Sequence, residues 1–343
     1  MYWEIGGDRL RHNDSVDKFS FSSARFLVAG CAGFLGSHLC ESLLEQGASV
    51  IGIDSYLTGC FENIRPFFSN PLFEFLEQDI CDPLQIEGGL GGIFHLASPA
   101  SPIHYGRYPI KTLQTGSIGT YHLLELAKQK KCPILVASTS EVYGDPLCHP
   151  QEESYFGNVN PIGLRSCYDE AKRFLEAITM AYHREHGMST RIARIFNTYG
   201  PRMQVEDGRV VSNFCVQALR GEPLTIYGSG RQTRSFCYVS DLIRGLIALF
   251  LSNEVLPVNL GNPVETTVLE LSKLVGELTN THVALSRLSL PEDDPKQRCP
   301  NIERAKTLLD WEPQVGLRDG LKKTIEYFTM QVVLLGKQRH QEK

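Results

Sequence analysis

Two residues four positions apart, Tyr168 and Lys172, carry the strongest chemical suggestion in this sequence. They belong to Tyr168-Asp169-Glu170-Ala171-Lys172, in a segment whose apolar residues follow a helical period towards His186, so both side chains share one helix face. A tyrosine titrates at about pH 10 and is a poor base at neutral pH. An ammonium beside it favours the phenolate, and Lys172 is expected to lower the Tyr168 pKa in this way. Tyr168 can then take the proton of a hydroxyl while the adjoining carbon gives hydride to a nicotinamide. A second polar group precedes this pair. The apolar run Ile134-Leu135-Val136-Ala137-Ser138 ends in Thr139-Ser140-Glu141, at the carboxyl end of a strand, where open α/β sheets place their ligands. Thr139 is expected to hold the same hydroxyl from the other side.

A nicotinamide implies a dinucleotide, and the sequence contains a turn suited to one. Gly30-Cys31-Ala32-Gly33-Phe34-Leu35-Gly36 follows the apolar run Phe26-Leu27-Val28-Ala29 and opens a helical period from Phe34 to Leu44. Pyrophosphate binding needs a tight turn, close backbone approach and a helix N-terminus whose free N–H groups favour the anion; Gly30, Gly33 and Gly36 meet these needs. A carboxylate for the adenosine ribose is required about 20 residues on. Asp54 supplies it at the end of Val50-Ile51-Gly52-Ile53. It would repel a 2′-phosphate, and no arginine follows in Ser55-Tyr56-Leu57, so NAD is expected rather than NADP. Asp79, after the third apolar run, is a candidate contact for the adenine amino group.

Such groups need a scaffold. Apolar, β-branched runs recur at Ser49 to Ile53, Phe73 to Phe75, Gly92 to Leu96, Ile134 to Ala137 and Thr190 to Ile195, with helix-length segments between most of them. That pattern predicts an α/β fold: a Rossmann-type, doubly wound parallel sheet covered on both faces. After about Gly200 the chain breaks into short pieces at Pro201, Asp207-Gly208, Gly221-Glu222-Pro223 and Gly228-Ser229-Gly230, the texture of a smaller C-terminal substrate-binding domain. Helices are predicted there over Val211 to Leu219, Asp241 to Leu251, Thr267 to Leu278 and Leu317 to Leu335. The expected division is a flexible extension over 1–23, a dinucleotide-binding domain over 24–200 with returning segments from 235–262, a mainly substrate-binding domain over 201–335 and a tail over 336–343.

Composition narrows the classes further. With 343 residues, 42% hydrophobic and 21% charged, the chain has ample apolar surface for two domains. A formal net charge of -5 argues against a nucleic-acid partner. The ten cysteines show no metal-ligand spacing, so no metal is expected and a reducing compartment is. No run is apolar enough to span a membrane and the N-terminus is too polar for a signal peptide, which leads to a cytoplasmic expectation.

Taken together, these motifs resemble the extended short-chain dehydrogenase/reductase family. The likeness runs from about Phe26 to Phe328, with its most specific blocks at His95-Leu96-Ala97-Ser98-Pro99-Ala100-Ser101-Pro102, Ala137 to Pro146, Ala193 to Met203, Asp207 to Phe214 and Tyr227 to Asp241. It is strongest to members that decarboxylate UDP-glucuronate to UDP-xylose. The resemblance implies that Tyr168 and Lys172 drive oxidation at C4 by NAD, that the C6 carboxylate leaves as carbon dioxide, and that hydride then returns to C4. In related dehydratases an aspartic acid stands where Ser140 is; a decarboxylase needs no acid there, and a carboxylate would repel the substrate's own. By the same resemblance Glu141 assists ring distortion and water placement, and Arg298 reaches in from the second domain either to neutralise the sugar carboxylate or to place the protonating water.

The family pattern also places residues around each ligand. Phe34, Leu35, Ser55, Thr58 and Gly59, with Ile80, Leu96 and Ser98, match the surroundings of the cofactor. Thr115, Ala137 and Thr198 join them. Asn197, Arg209, Tyr227, Gln232 and Arg234 match positions around the UDP moiety, arginine suiting phosphate oxygens through its bidentate fork; for Arg209 the cofactor is the alternative partner, and for Tyr227 a place in the core. The resemblance further implies a homodimer through helices at roughly 109 to 130 and 168 to 187. Four residues depart from the family pattern: Cys31 replaces a glycine, Gln114 a lysine, Gly116 an asparagine and Leu164 a proline. Cys31 is tolerable if its φ is not positive, and the lost lysine at 114 would remove a charge from a ligand pocket. The alternatives are a nucleotide-sugar 4-epimerase or 4,6-dehydratase on the same scaffold, and a non-catalytic NAD-binding sensor.

Overall fold

The computed structural model describes residues 21–281, 284–289 and 297–341, with side chains as far as residue 334. The expected N-terminal extension lies outside the described residues except for Phe21–Ser23, a 3-10 turn whose Phe21 ring packs 5.8 Å from Phe26. The first half of the chain alternates strand and helix. β1 (Arg25–Ala29), β2 (Ser49–Asp54), β3 (Phe73–Glu77), β4 (Gly92–His95), β5 (Ile134–Thr139) and β6 (Thr190–Ile195) lie where the apolar runs predict them. A seventh strand, β7 (Val258–Leu260), joins the edge beside β6. All pairings are parallel, in the order β7-β6-β5-β4-β1-β2-β3. The order reverses between β1 and β4, and such a switch point opens a crevice at the carboxyl ends of the strands.

Each strand feeds both faces of the sheet. Along β1, Phe26 and Val28 enter one buried cluster with Leu39, Phe94 and Phe250, while Leu27 and Ala29 enter the other with Ile93, Leu124 and Leu175. Full burial of each large apolar side chain contributes about 1.5–3 kcal/mol, which is why these strands read as unbroken apolar runs rather than alternating ones.

The covering helices are α1 (Phe34–Glu45); α2 (Pro109–Gln114), which runs through a π-helical turn at Thr115–Gly119 into α3 (Thr120–Lys130); and α4 (Ser166–His186). Beyond Gly200 come α5 (Val210–Arg220), α6 (Val239–Leu251), α7 (Val268–Thr279) and α8 (Leu317–Gln341). A capping box between Thr267 and Glu270 fixes the start of α7. Two short strand pairs, Leu224–Tyr227 with Leu285–Leu288 and Thr233–Ser235 with Glu265–Thr267, complete this part. α6 and β7 return to the large sheet. α8 runs past Leu335 as far as Gln341, so no separate tail starts at 336; Lys337, Gln338 and Arg339 are good helix formers and no proline stops them. Among the described residues no helix is long and apolar enough to cross a membrane, and no group of three or more His, Cys, Asp or Glu side chains is placed to hold a metal.

Candidate active site

The turn between β1 and α1 has the shape that the glycine spacing predicts. Gly30 adopts φ +84, and a Cβ on it would lie 2.7 Å from the Ala97 nitrogen. A Cβ on Gly36 would collide with the Gly30 carbonyl oxygen, and one on Gly33 would sit 3.2 Å from the same atom. Gly33 caps α1 without a side-chain hydrogen bond, leaving the first helical amides to a ligand. Cys31 is fully buried and does not adopt positive φ; its thiol lies against Gly52 of β2, where an added Cβ would come within 2.6 Å of Sγ. Asp54 ties the turn down, Oδ2 accepting from the Ala32 amide at 3.0 Å and Oδ1 from the Tyr56 amide at 2.9 Å.

These elements border a small pocket. Gly30, Gly33 and Asp54 line it together with Ser55, Thr58 and Gly59, and Asp79, Ile80, Leu96, Ser98 and Thr115 close its other side. Asp79 is already engaged: the Lys111 ammonium pairs with Oδ2 at 2.5 Å and the Cys81 amide donates to Oδ1 at 2.9 Å. Lys111 is the lysine that lines this pocket, whereas Gln114 is exposed and lines neither cavity. Phe34 packs edge-on to His38 at 5.8 Å and borders neither pocket. The room left by the glycines, the uncapped helix and the carboxylate at the strand end fit a dinucleotide.

Alongside lies a larger cavity of about 480 Å³ that gathers the reactive groups. Leu35, Leu96, Ser98, Ala137 and Thr198 line it, as do Thr139, Ser140 and Glu141 from the end of β5 and the turn after it, and Tyr168 and Lys172 from α4. Lys172 is 3% exposed and donates to the Ala137 carbonyl at 2.7 Å. Its ammonium stands 5.9 Å from the centre of the Tyr168 ring, and burial lowers its pKa to about 8. Tyr168 stacks on Tyr105 with centroids 5.3 Å apart. The expected lowering of its pKa is not what the structure gives. Burial pushes the phenol up to about 12, opposed by its hydrogen bond with Thr139 and by the Arg209 charge. The pair reading left out desolvation: both side chains are out of water, and the ammonium is directed to a main-chain carbonyl.

A charge cluster that the sequence only half suggested sits next to this pair. Glu141 accepts from Arg165 at 2.6 Å and from Arg298 at 3.1 Å. Arg298, 2% exposed, also donates to the Ser140 carbonyl at 2.7 Å. Burial alone would raise the Glu141 pKa, but Arg298, Arg165 and Arg234 outweigh it and hold the carboxyl at about 2. Asp169 points the other way: burial and the Glu141 charge push it up to about 7, and its buried Oδ1 has no hydrogen-bond partner among the described residues. Arg165 and Asp169 were not singled out from sequence. The signal was there, an arginine one helical turn ahead of the tyrosine motif.

Residues of the second half close the cavity. Asn197, Arg209, Tyr227, Gln232 and Arg234 all border it. Arg209 caps α5 and pairs with Asp207 at 2.7 Å; the Gln232 amide donates to the Tyr227 carbonyl at 2.8 Å. Of the remaining departures, Gly116 sits in the π-helical turn where a Cβ would lie 2.7 Å from the Ala171 methyl, and Leu164 is 79% exposed.

Comparison with known proteins gives one direction. The model of the family described as GDP-mannose 4,6-dehydratase matches residues 27–324. UDP-glucuronic acid decarboxylase 3 of Arabidopsis thaliana is 53% identical over 316 residues, covering 92% of this chain and 92% of that protein. Among solved structures, UDP-glucose 4-epimerase of Thermotoga maritima superposes with TM-score 0.82 at 30% identity, covering 90% of this chain and 99% of that one. UDP-glucuronic acid 4-epimerase of Bacillus cereus, in complex with UDP-glucuronic acid and NAD, gives 0.79 at 29% identity with the same coverage.

Proposed function

The chain belongs to the GDP-mannose 4,6-dehydratase family within the extended short-chain dehydrogenase/reductases, and on that premise we propose that it uses NAD to decarboxylate UDP-glucuronate to UDP-xylose. The observation that carries this reading is Arg298. It is almost completely buried against Ser140 and Glu141 in the cavity of Tyr168 and Lys172, a cation that supports binding of an acidic sugar there. Relatives of about half-identical sequence named as UDP-glucuronic acid decarboxylases support the same reading.

Gly30, Gly33 and Gly36 would hold the pyrophosphate, Asp54 the ribose and Asp79 the adenine end. Bound there, NAD supplies a hydride acceptor for C4 of the sugar and later the hydride that restores it, so it ends the cycle unchanged. Tyr168 takes the C4 hydroxyl proton with Thr139 holding the oxygen; because burial raises the phenol to about 12, the positive charges of Lys172 and of a bound nicotinamide together have to offset that burial before the phenolate forms. Oxidation at C4 makes the sugar a β-keto acid. Its C5–C6 bond breaks as carbon dioxide leaves, and the electron pair passes to C5 and the 4-keto oxygen as an enolate. Arg298 neutralises the departing carboxylate's charge and places the water that gives C5 its proton; one proton is consumed per carbon dioxide. Ser140 brings no acid and no repelling charge. Glu141, pinned by two arginines, guides ring distortion and that water. Asn197, Arg209, Tyr227, Gln232 and Arg234 bind the UDP end.

The same reading extends to the whole protein. A dinucleotide-binding part over 24–200 and a substrate-binding part over 201–335 meet at the cavity. The chain works as a homodimer, an assignment supported by large apolar side chains left exposed on α2, the turn after it, α3 and α4, namely Ile110, Leu113, Ile118, Tyr121 and Phe174. Ten free thiols support a cytoplasmic location. Incubation of the purified protein with UDP-glucuronate and NAD should yield UDP-xylose and one carbon dioxide per sugar. UDP-galacturonate as product would establish the epimerase alternative instead, and NAD binding without turnover the sensor.

A further inference from the structure

We propose that Gln151, outside the cavity, is the positioning residue that sets the Arg298 guanidinium and with it the preference for a carboxylate-bearing sugar; this rests on the decarboxylase reading. Among the described residues, 297–302 around Arg298 belong to no helix or extended strand, only to an isolated bridge between Gln151 and Pro300. Something else must hold them, since a long side chain buried to 2% exposure has to reach the Ser140 carbonyl and Glu141 together.

Gln151 does so with main chain and side chain. Its Oε1 accepts from the Cys299 amide at 2.9 Å, and its own amide donates to the Cys299 carbonyl at 2.8 Å. Its carbonyl accepts from the Asn301 amide at 2.8 Å. The side chain is fixed in turn, fully buried, with Nε2 donating to the Cys148 carbonyl at 3.0 Å. Asn259 locks the arrangement from β7. Its Nδ2 donates to the carbonyls of Gln151 at 3.0 Å and Asn301 at 3.1 Å, while its Oδ1 accepts from the Tyr143 hydroxyl at 2.7 Å. Tyr143 closes the turn that begins at Ser140 and Glu141, the groups Arg298 grips. Gln151 thus joins the residue next to the arginine to the frame that carries the arginine's targets. It borders no ligand pocket, so its influence on substrate has to pass through Arg298.

The test is a double-mutant cycle of Gln151→Met, which keeps the volume and removes the acceptor, with Arg298→Ala. Dissociation constants are measured for UDP-glucuronate, UDP-glucose and UDP on the full-length, NAD-loaded protein, the parent and every variant also carrying Tyr168→Phe so that UDP-glucuronate is bound and not turned over. Because misplacing a site group by about 1 Å costs on the order of 10²-fold, Gln151→Met should cut the preference for UDP-glucuronate over UDP-glucose by tenfold or more in the order of magnitude. UDP affinity should stay within about twofold, and adding Gln151→Met to Arg298→Ala should change the preference no further. An unchanged preference, an equal loss for UDP, or a full second loss in the double variant overturns the proposal. If Gln151→Met does not fold, Gln151→Leu removes the same acceptor; a folded Gln151→Leu that keeps the full preference overturns it equally. A parent that fails to prefer UDP-glucuronate refutes the decarboxylase reading instead.

Discussion

Replacing Lys172 with methionine should make the protein more stable and nearly inactive. Lys172 is 3% exposed, and its ammonium donates to the Ala137 carbonyl. Burial lowers its pKa from 10.5 to about 8, so carrying the charge costs the folded state about 3 kcal/mol at 1.36 kcal/mol per unit. Methionine fills the same channel without charge. The buried Ala137 carbonyl loses its donor, a cost of about 1–3 kcal/mol, leaving a net gain of up to about 2 kcal/mol at pH 7. The gain depends on pH with a definite sign. Below about pH 8 the lysine is charged in both states and the penalty is full. Between that value and 10.5 the unfolded chain holds a proton that the folded protein has released, so the parent's stability rises with pH and the variant's advantage fades. Urea unfolding of the NAD-free proteins at pH 7 and pH 10 measures both ends, and turnover should fall by about 10²–10⁴-fold. A variant less stable than its parent at pH 7, or an advantage that does not shrink by pH 10, would refute the reasoning.

Three other outcomes are expected. Gly36→Ala drives a methyl into the Gly30 carbonyl, and the displaced turn should weaken NAD about tenfold to a hundredfold in calorimetry. Arg165→Met removes one of the cations that hold the Glu141 carboxyl down. Its pKa then climbs back towards 4.5, so the acid limb of kcat/KM should move to higher pH while the alkaline side stays; the stability this carboxylate contributes above pH 4.5 should likewise be lost earlier on acidification, seen in a pH titration of unfolding. Gly116→Ala brings its Cβ to 2.7 Å from the Ala171 methyl, costing about 1–3 kcal/mol in thermal unfolding, and Ala171→Gly in the same chain should restore most of it.

What could be read in advance were features written in consecutive residues. The glycine turn, Asp54 and the Tyr168 to Lys172 spacing lie within single strand-to-helix units, and strands buried on both faces announce themselves as apolar runs. β7 escaped because three residues, Val258–Leu260, form no run long enough to signal a strand. Arg298 was found only through family likeness, since its contact with Ser140 spans 158 positions. Gln151 and Asn259 act through bonds to main chain more than 100 positions away, which no local pattern encodes. The Tyr168 pKa is not legible in the sequence, because a pair on one helix face says nothing of how far the surrounding protein removes both groups from water.

Arg298 reads position 140 by its main-chain carbonyl and position 141 by its carboxylate. The side chain at 140 is therefore not part of the grip on the arginine. On the decarboxylase reading, a substitution at 140 would leave the arginine's grip intact, so the residue proposed to decide the reaction and the residue proposed to choose the sugar would be free to vary separately.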